Sequence, residues 1–217
     1  MVKINENFVN LYTRWKSGRK RKESNYIDDF IKRQDFDYAI EVEEDGSICV
    51  KYSSIKITDD DLINGKLAFR FSKIKGSISF MDCKTLVSLE GLPEEMTSGY
   101  FDADNCEKLE TFDFMPKSLR KDIDIYASNC FSLKSLKGLP DEVDGLMIRH
   151  CISLESLEGC PKIINKNFDM SGCKNIKSLD GFPKYIGGDL SAHNIGLKID
   201  KNTIKEICEV KGNIFIS

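Results

Sequence analysis

Apolar residues recur along this chain at two spacings at once, alternating within short runs while the runs themselves return every 21 to 24 residues. Ile78 and Phe80, Phe101 and Ala103, Ile125 and Ala127, Leu146 and Ile148, and Phe168 and Met170 form five such pairs. Each pair stands five and three residues before a cysteine: Cys83, Cys106, Cys130, Cys151 or Cys173. Alternation of period two over so short a run predicts a strand with one buried face. Three residues after each cysteine come Leu86, Leu109, Leu133, Leu154 and Ile176, and six after come Leu89, Phe112, Leu136, Leu157 and Leu179. Thirteen after come Met96, Leu119, Val143, Ile164 and Ile186. Units this small cannot bury an apolar face alone, so self-similarity at this period predicts a solenoid whose strands pair into a parallel sheet.

The polar and special residues keep the same register. All five prolines fall ten residues after a cysteine: Pro93, Pro116, Pro140, Pro161 and Pro183. Gly91, Gly138, Gly159 and Gly181 precede four of them by two positions, with Phe114 in the fifth place. That pairing predicts a fixed, non-helical return bend. A hydroxyl follows each cysteine by five positions, at Ser88, Thr111, Ser135, Ser156 and Ser178, where a short side chain can satisfy backbone groups in a tight coil.

The segments "FDMSGCKNIKSLDGFP" and "LMIRHCISLESLEGCP" resemble the leucine-rich repeat family, whose unit reads L-x-x-L-x-L-x-x-N/C-x-L. The C-x-x-L spacing looks like the cysteine-containing subgroup. The closing "SLEGLP" phrase is similar to repeats in uncharacterised proteins of large bacteriophages and low-GC bacteria. The resemblance covers about residues 76–195 and implies an α/β-type solenoid with mostly irregular return segments. Because asparagine is missing from the usual place, the cysteines are expected to close the turn by packing alone. The family spans receptors, effectors, inhibitors and structural proteins, so the resemblance implies a fold and no single activity.

Residues 1–75 carry no repeat. Phe8, Leu11, Tyr12 and Trp15 suit a short amphipathic helix, and Ser24 suits the N-cap of a second helix carrying Tyr26, Ile27, Phe30 and Ile31. "YAIEVEEDGSICVKY" predicts a hairpin turning at Asp45-Gly46, and Asn64-Gly65 marks another turn. This region is expected to cap the solenoid or to form a separate functional domain. In residues 196–217, Ile204, Ile207 and Cys208 predict a short helix and "GNIFIS" a last strand, together the other cap.

Composition narrows function by exclusion. The chain has no P-loop, no G-x-S-x-G elbow, no H-E-x-x-H and no C-x-x-C pair, and only His150 and His193. Asp59-Asp60-Asp61 lacks the spacing of a calcium loop and reads as an exposed acidic helix start. The expectation is a non-enzyme without cofactor or metal. No apolar run is long enough for a membrane span, and the start lacks an export signal, which points to the cytoplasm, a host's if phage-encoded, with reduced thiols. Net charge is −3, but seven basic residues between Lys3 and Lys22 face only Glu6. Arg14, Trp15, Lys16, Arg19, Lys20, Arg21 and Lys22 thus offer a contact for nucleic acid or another anionic surface, or a solvated helix end.

The outward strand positions differ from the inward ones. Four before each cysteine stand Ser79, Asp102, Tyr126, Met147 and Asp169, and two before stand Met81, Asp104, Ser128, Arg149 and Ser171. Inward columns repeat a residue type and these do not. A protein partner is therefore expected on the concave strand face, at Asp102, Asp104, Tyr126, Met147, Arg149 and Asp169, since Tyr, Met and Arg are enriched at interfaces. Association with nucleic acid through residues 14–22 and a structural place in an assembly such as a virion are the alternatives.

Overall fold

The chain is described from a computed structural model, which covers residues 21–34, 39–116, 118–119 and 122–217. It is a β-solenoid whose coils stack two parallel ladders. The first ladder has eight strands: β3 (Ile55–Lys56), β7 (Ile78–Ser79), β9 (Tyr100–Asp102), β11 (Asp124–Tyr126), β13 (Leu146–Met147), β15 (Phe168–Asp169), β17 (Leu190–Ala192) and β19 (Ile214–Ile216). Neighbours pair in order with inward residues in register, as in Phe101 with Ile125 and Ile125 with Leu146. The alternation expected from the sequence is present: Ile78, Phe101, Ile125, Leu146, Phe168 and Leu190 are all buried.

The return segments hold more order than the expected irregular path. The return-side ladder comes in two sections: β6 (Phe71–Ile74), β8 (Glu95–Met96) and β10 (Ser118–Leu119) pair in parallel, and so do β12 (Glu142–Val143), β14 (Ile163–Ile164), β16 (Tyr185–Ile186) and β18 (Glu209–Val210). In β8, β12, β14 and β16 only one residue of the two faces inward, Met96, Val143, Ile164 and Ile186 respectively. A lone apolar column carries no period-two signal, which is why sequence alone shows no strand there.

The turn after each first-ladder strand is closed by hydrogen bonds as well as by packing, a correction to the expectation. Residues Asp82, Asn105, Asn129, His150 and Gly172, one before each cysteine, all take positive φ between 56° and 79°. Asn, Asp, His and Gly tolerate this left-handed conformation best. The bend lets the cysteine sulfur reach the coil before it. The thiols of Cys83, Cys106, Cys130, Cys151 and Cys173 donate to the carbonyls of Ile57, Phe80, Ala103, Ala127 and Ile148 at 3.0 to 3.4 Å. A short amide ladder also exists, one residue earlier than in the family pattern. Asn105 Nδ2 donates to Asp82 Oδ1 and Asn129 Nδ2 to Asn105 Oδ1, both at 2.9 Å.

On the return side, the hydroxyl column accepts from the N–H two residues on, as in Ser135 from Lys137 at 3.1 Å. At Gly138, φ is 98° and a Cβ would stand 2.1 Å from the Phe112 carbonyl oxygen. Only glycine fits so close an approach. The core is continuous along the stack, with Leu86, Leu109, Leu133, Leu154 and Ile176 all buried. Each such side chain contributes roughly 1.5–3 kcal/mol of transfer free energy.

Both ladders run past 76–195. At the N-terminal side, β1 (Ile40–Val42) and β2 (Ile48–Val50) form the expected hairpin, with Gly46 at φ 82°, and β2 pairs in parallel with β6. The Asn64-Gly65 turn joins β4 (Leu62–Ile63) to β5 (Lys66–Leu67). Helix α1 (Arg21–Arg33) buries Ile27 and Phe30 over this end. It opens three residues before Ser24, which is therefore inside the helix and not its N-cap, because Arg21, Lys22 and Glu23 are all good helix formers. The Asp59–Asp61 segment is a 3-10 turn and is not simply exposed, since Asp61 is buried, ion-pairs with Arg33 and accepts from Thr58 N at 2.9 Å. At the other end, α2 (Lys201–Ile207) is capped by Asp200, which accepts from Thr203 N at 2.8 Å, and the last strand β19 pairs with β17. The helix expected over residues 8–15 lies outside the described residues.

Candidate partner-binding face

The first ladder sets its outward side chains on a grid. Parallel strands lie about 4.8 Å apart, and same-face residues on one strand are two positions apart. Asp102, Tyr126, Met147 and Asp169 therefore follow one another in one column, each in register with the next. Asp104 and Arg149 occupy the column two residues on, with Ser128 between them. All six residues expected from the sequence thus share one face. Arg149 is exposed and the other five are half-buried.

Hydrogen bonds hold several of these groups in place. Arg149 Nε donates to Asp169 Oδ2 at 2.6 Å, and the arginine side chain keeps 52% of its exposure. Asp169 Oδ1 accepts from Ser171 N at 2.9 Å. Asp102 Oδ2 accepts from Ser79 Oγ at 3.0 Å, and its other oxygen accepts from Asp104 N at 2.9 Å. Asp104 Oδ1 accepts from Ser128 N at 2.6 Å. Burial pushes the Asp104 carboxyl above its ordinary value against this hydrogen bond, and the nearby Asp102 charge adds to the push. Burial likewise raises the Tyr126 hydroxyl, followed by the charge of Asp124.

Other residues belong to the same face. Tyr100 is 39% exposed, and its ring meets that of Tyr126 edge-on, with centroids 6.1 Å apart. It stands six residues before its cysteine, one step outside the alternating run, so a search confined to that run passes over it. Asp124 pairs in register with Tyr100. Lys166 lies 2.6 Å from Asp144 and 3.6 Å from Asp124. Toward the C-terminal end, His193 and Phe215 extend the face, their rings 6.5 Å apart.

The basic cluster is not brought to this face by anything described. Arg14, Trp15, Lys16, Arg19 and Lys20 lie outside the described residues, and Arg21 and Lys22 are described only as the backbone that opens α1. Among the described residues no three of His, Cys, Asp and Glu gather to hold a metal ion, and no helix is long and apolar enough to cross a membrane. The eight cysteines are free thiols, Cys49 being half-buried and the rest buried. No family model, curated protein or solved structure matches the chain.

Proposed function

We propose that the chain is a non-catalytic, protein-binding solenoid of leucine-rich-repeat-like type that engages its partner through the outward face of the eight-stranded ladder. The observation that carries this reading is the contrast between columns. Inward positions repeat one residue type for packing, while the outward column runs Ser79, Asp102, Tyr126, Met147, Asp169, which packing does not require. Tyr126, Met147 and Arg149 combine large area, adaptable packing and directed hydrogen bonds on adjacent rungs. The backbone ladder orders them before a partner arrives, so little freedom is lost on docking. With Asp102, Asp104 and Asp124 beside them, the face suits a basic partner surface.

The test is a double substitution, Tyr126→Ala with Arg149→Ala. Both side chains point away from the core, so the melting temperature should change little. Binding to the partner, once recovered from its native setting, should weaken by at least about 2 kcal/mol if these are hot spots. Unchanged affinity in a folded double variant would remove the face from the function. Loss of binding on changing Arg19 to Lys22 instead would transfer it to the N-terminal cluster.

A further inference from the structure

Within the ladder face, four outward residues form a checkerboard. Strand β9 carries Tyr100 and Asp102, and β11 carries Asp124 and Tyr126. The register sets Tyr100 against Asp124 and Asp102 against Tyr126. The tyrosines thus occupy one diagonal and the carboxylates the other. The two rings stand at 83° to each other, close enough to make a corner. Next to this square is Gly145, where a Cβ would come within 2.6 Å of Asp124 Oδ1, so the glycine leaves room for the carboxylate to lean across.

We propose that this square is a receiving site for an arginine side chain of the partner protein. The inference rests on the ladder-face reading and adds to it the chemistry at its centre. Charge complementarity selects a cation. Asp102 and Asp104 are hydrogen-bonded to Ser79 and Ser128, which are neutral, and Asp124 shares Lys166 with the closer Asp144. The face therefore carries negative charge that its own cations do not balance at the square. The tyrosines decide which cation. A guanidinium is flat, stacks on an aromatic face, and turns a rigid edge of N–H donors toward a carboxylate. An ammonium is a strongly hydrated point charge and uses only part of this arrangement. Ring and carboxylate alternate at neighbouring grid points here, so one planar cation spans both. The Asp102 carboxylate is fixed by hydrogen bonds from Ser79 Oγ and Asp104 N, so it needs little reordering to accept the cation.

The experiment uses the full chain and a defined probe, the peptide acetyl-Gly-Ser-Arg-Ser-Gly-amide, with a citrulline analogue that keeps the shape and loses the charge. Ring-proton NMR signals of Tyr100 and Tyr126 are followed during titration. Saturable shifts of both rings with the arginine peptide, absent with citrulline, are expected. Asp102→Asn removes the charge while its carbonyl oxygen still accepts from Asp104 N and its amide can donate to Ser79 Oγ. It should weaken the arginine peptide roughly tenfold, the size of a lost charge-assisted hydrogen bond, and Tyr100→Leu should weaken it without unfolding the ladder. Equal shifts from the two peptides, or unmoved rings, overturn the inference. If the rings stay unmoved while the Tyr126→Ala, Arg149→Ala variant still loses its partner, the ladder face stands and the arginine site falls.

Discussion

The cysteine column shows how one small side chain can serve volume and hydrogen bonding together. The Phe80 carbonyl takes the Cys83 N–H of its own coil at 2.9 Å and the Cys106 thiol of the next at 3.0 Å. The Ala103 carbonyl does the same with Cys106 N–H and the Cys130 thiol, both at 3.2 Å. A thiol donates only while protonated, and burial keeps it so, raising Cys83 from its ordinary 9.0 to about 12 and Cys208 to about 11. A group whose folded value is raised holds its proton longer in the native state. Its contribution is complete below the unfolded value and is lost as pH climbs through the folded one. Denaturant midpoints should therefore hold steady to about pH 8 and fall between about 9 and 12. The decline should be shallower in Cys83→Ser, whose hydroxyl does not titrate there, and an identical decline would discount the thiol. Volume is tested separately. Cys130→Leu adds bulk to a fully buried position and should cost roughly 1–3 kcal/mol in urea unfolding. A neutral result would mean that the coil has slack at the turn.

Each coil is assembled from elements that differ in how openly they announce themselves. The first-ladder strands are legible because two inward residues bracket an outward one in every repeat. The turn at Asn64-Gly65 is legible because only a few residues accept positive φ in tandem, and the hairpin at Asp45-Gly46 because glycine takes positive φ at its second place. The second ladder is hidden by its two-residue strands. The left-handed turn is hidden for another reason: Asp82, Asn105, Asn129, His150 and Gly172 share a backbone tolerance and not a polarity, so no hydropathy pattern links them. Tyr100 is hard to place on the face from sequence because its column begins before the buried pair. Phe114 breaks the glycine column in sequence yet keeps its conformation, at φ 71°, with the residue 59% exposed. A bulky residue in this region stores strain and here gains little by burial. Phe114→Gly should then stabilise the chain by roughly 0.5–2 kcal/mol, the strain relieved less the extra freedom glycine loses on folding. Chemical denaturation reads the difference directly. A lower midpoint would mean that the ring makes contacts worth more than the strain.

At the scale of the whole molecule, a solenoid is a one-dimensional stack in which each coil answers to its neighbours, so its stability depends on how the ends are closed. The N-terminal end of the first ladder is closed by a side chain imitating a strand. Gln34 Nε2 donates to the Lys56 carbonyl at 3.0 Å, and Gln34 Oε1 accepts from Lys56 N at 3.1 Å, on the edge strand β3. The primary amide carries the donor and acceptor of a peptide unit, so it satisfies both edge groups at once. Nothing local in the sequence marks Gln34 for this work, because the pairing joins residues 22 apart through the fold of α1 onto the stack. Gln34→Ala should leave the edge amide of Lys56 to water and cost about 1–2 kcal/mol, one to two net hydrogen bonds. Hydrogen exchange locates the effect as well as its size. The Lys56 and Ile57 amides should lose protection first, those of β7 less, and those of β11 and β13 almost none, since coupling in such a stack passes only from neighbour to neighbour. Uniform loss of protection from β3 to β19 would instead mean that the solenoid opens as one cooperative unit, with the end no weaker than the middle.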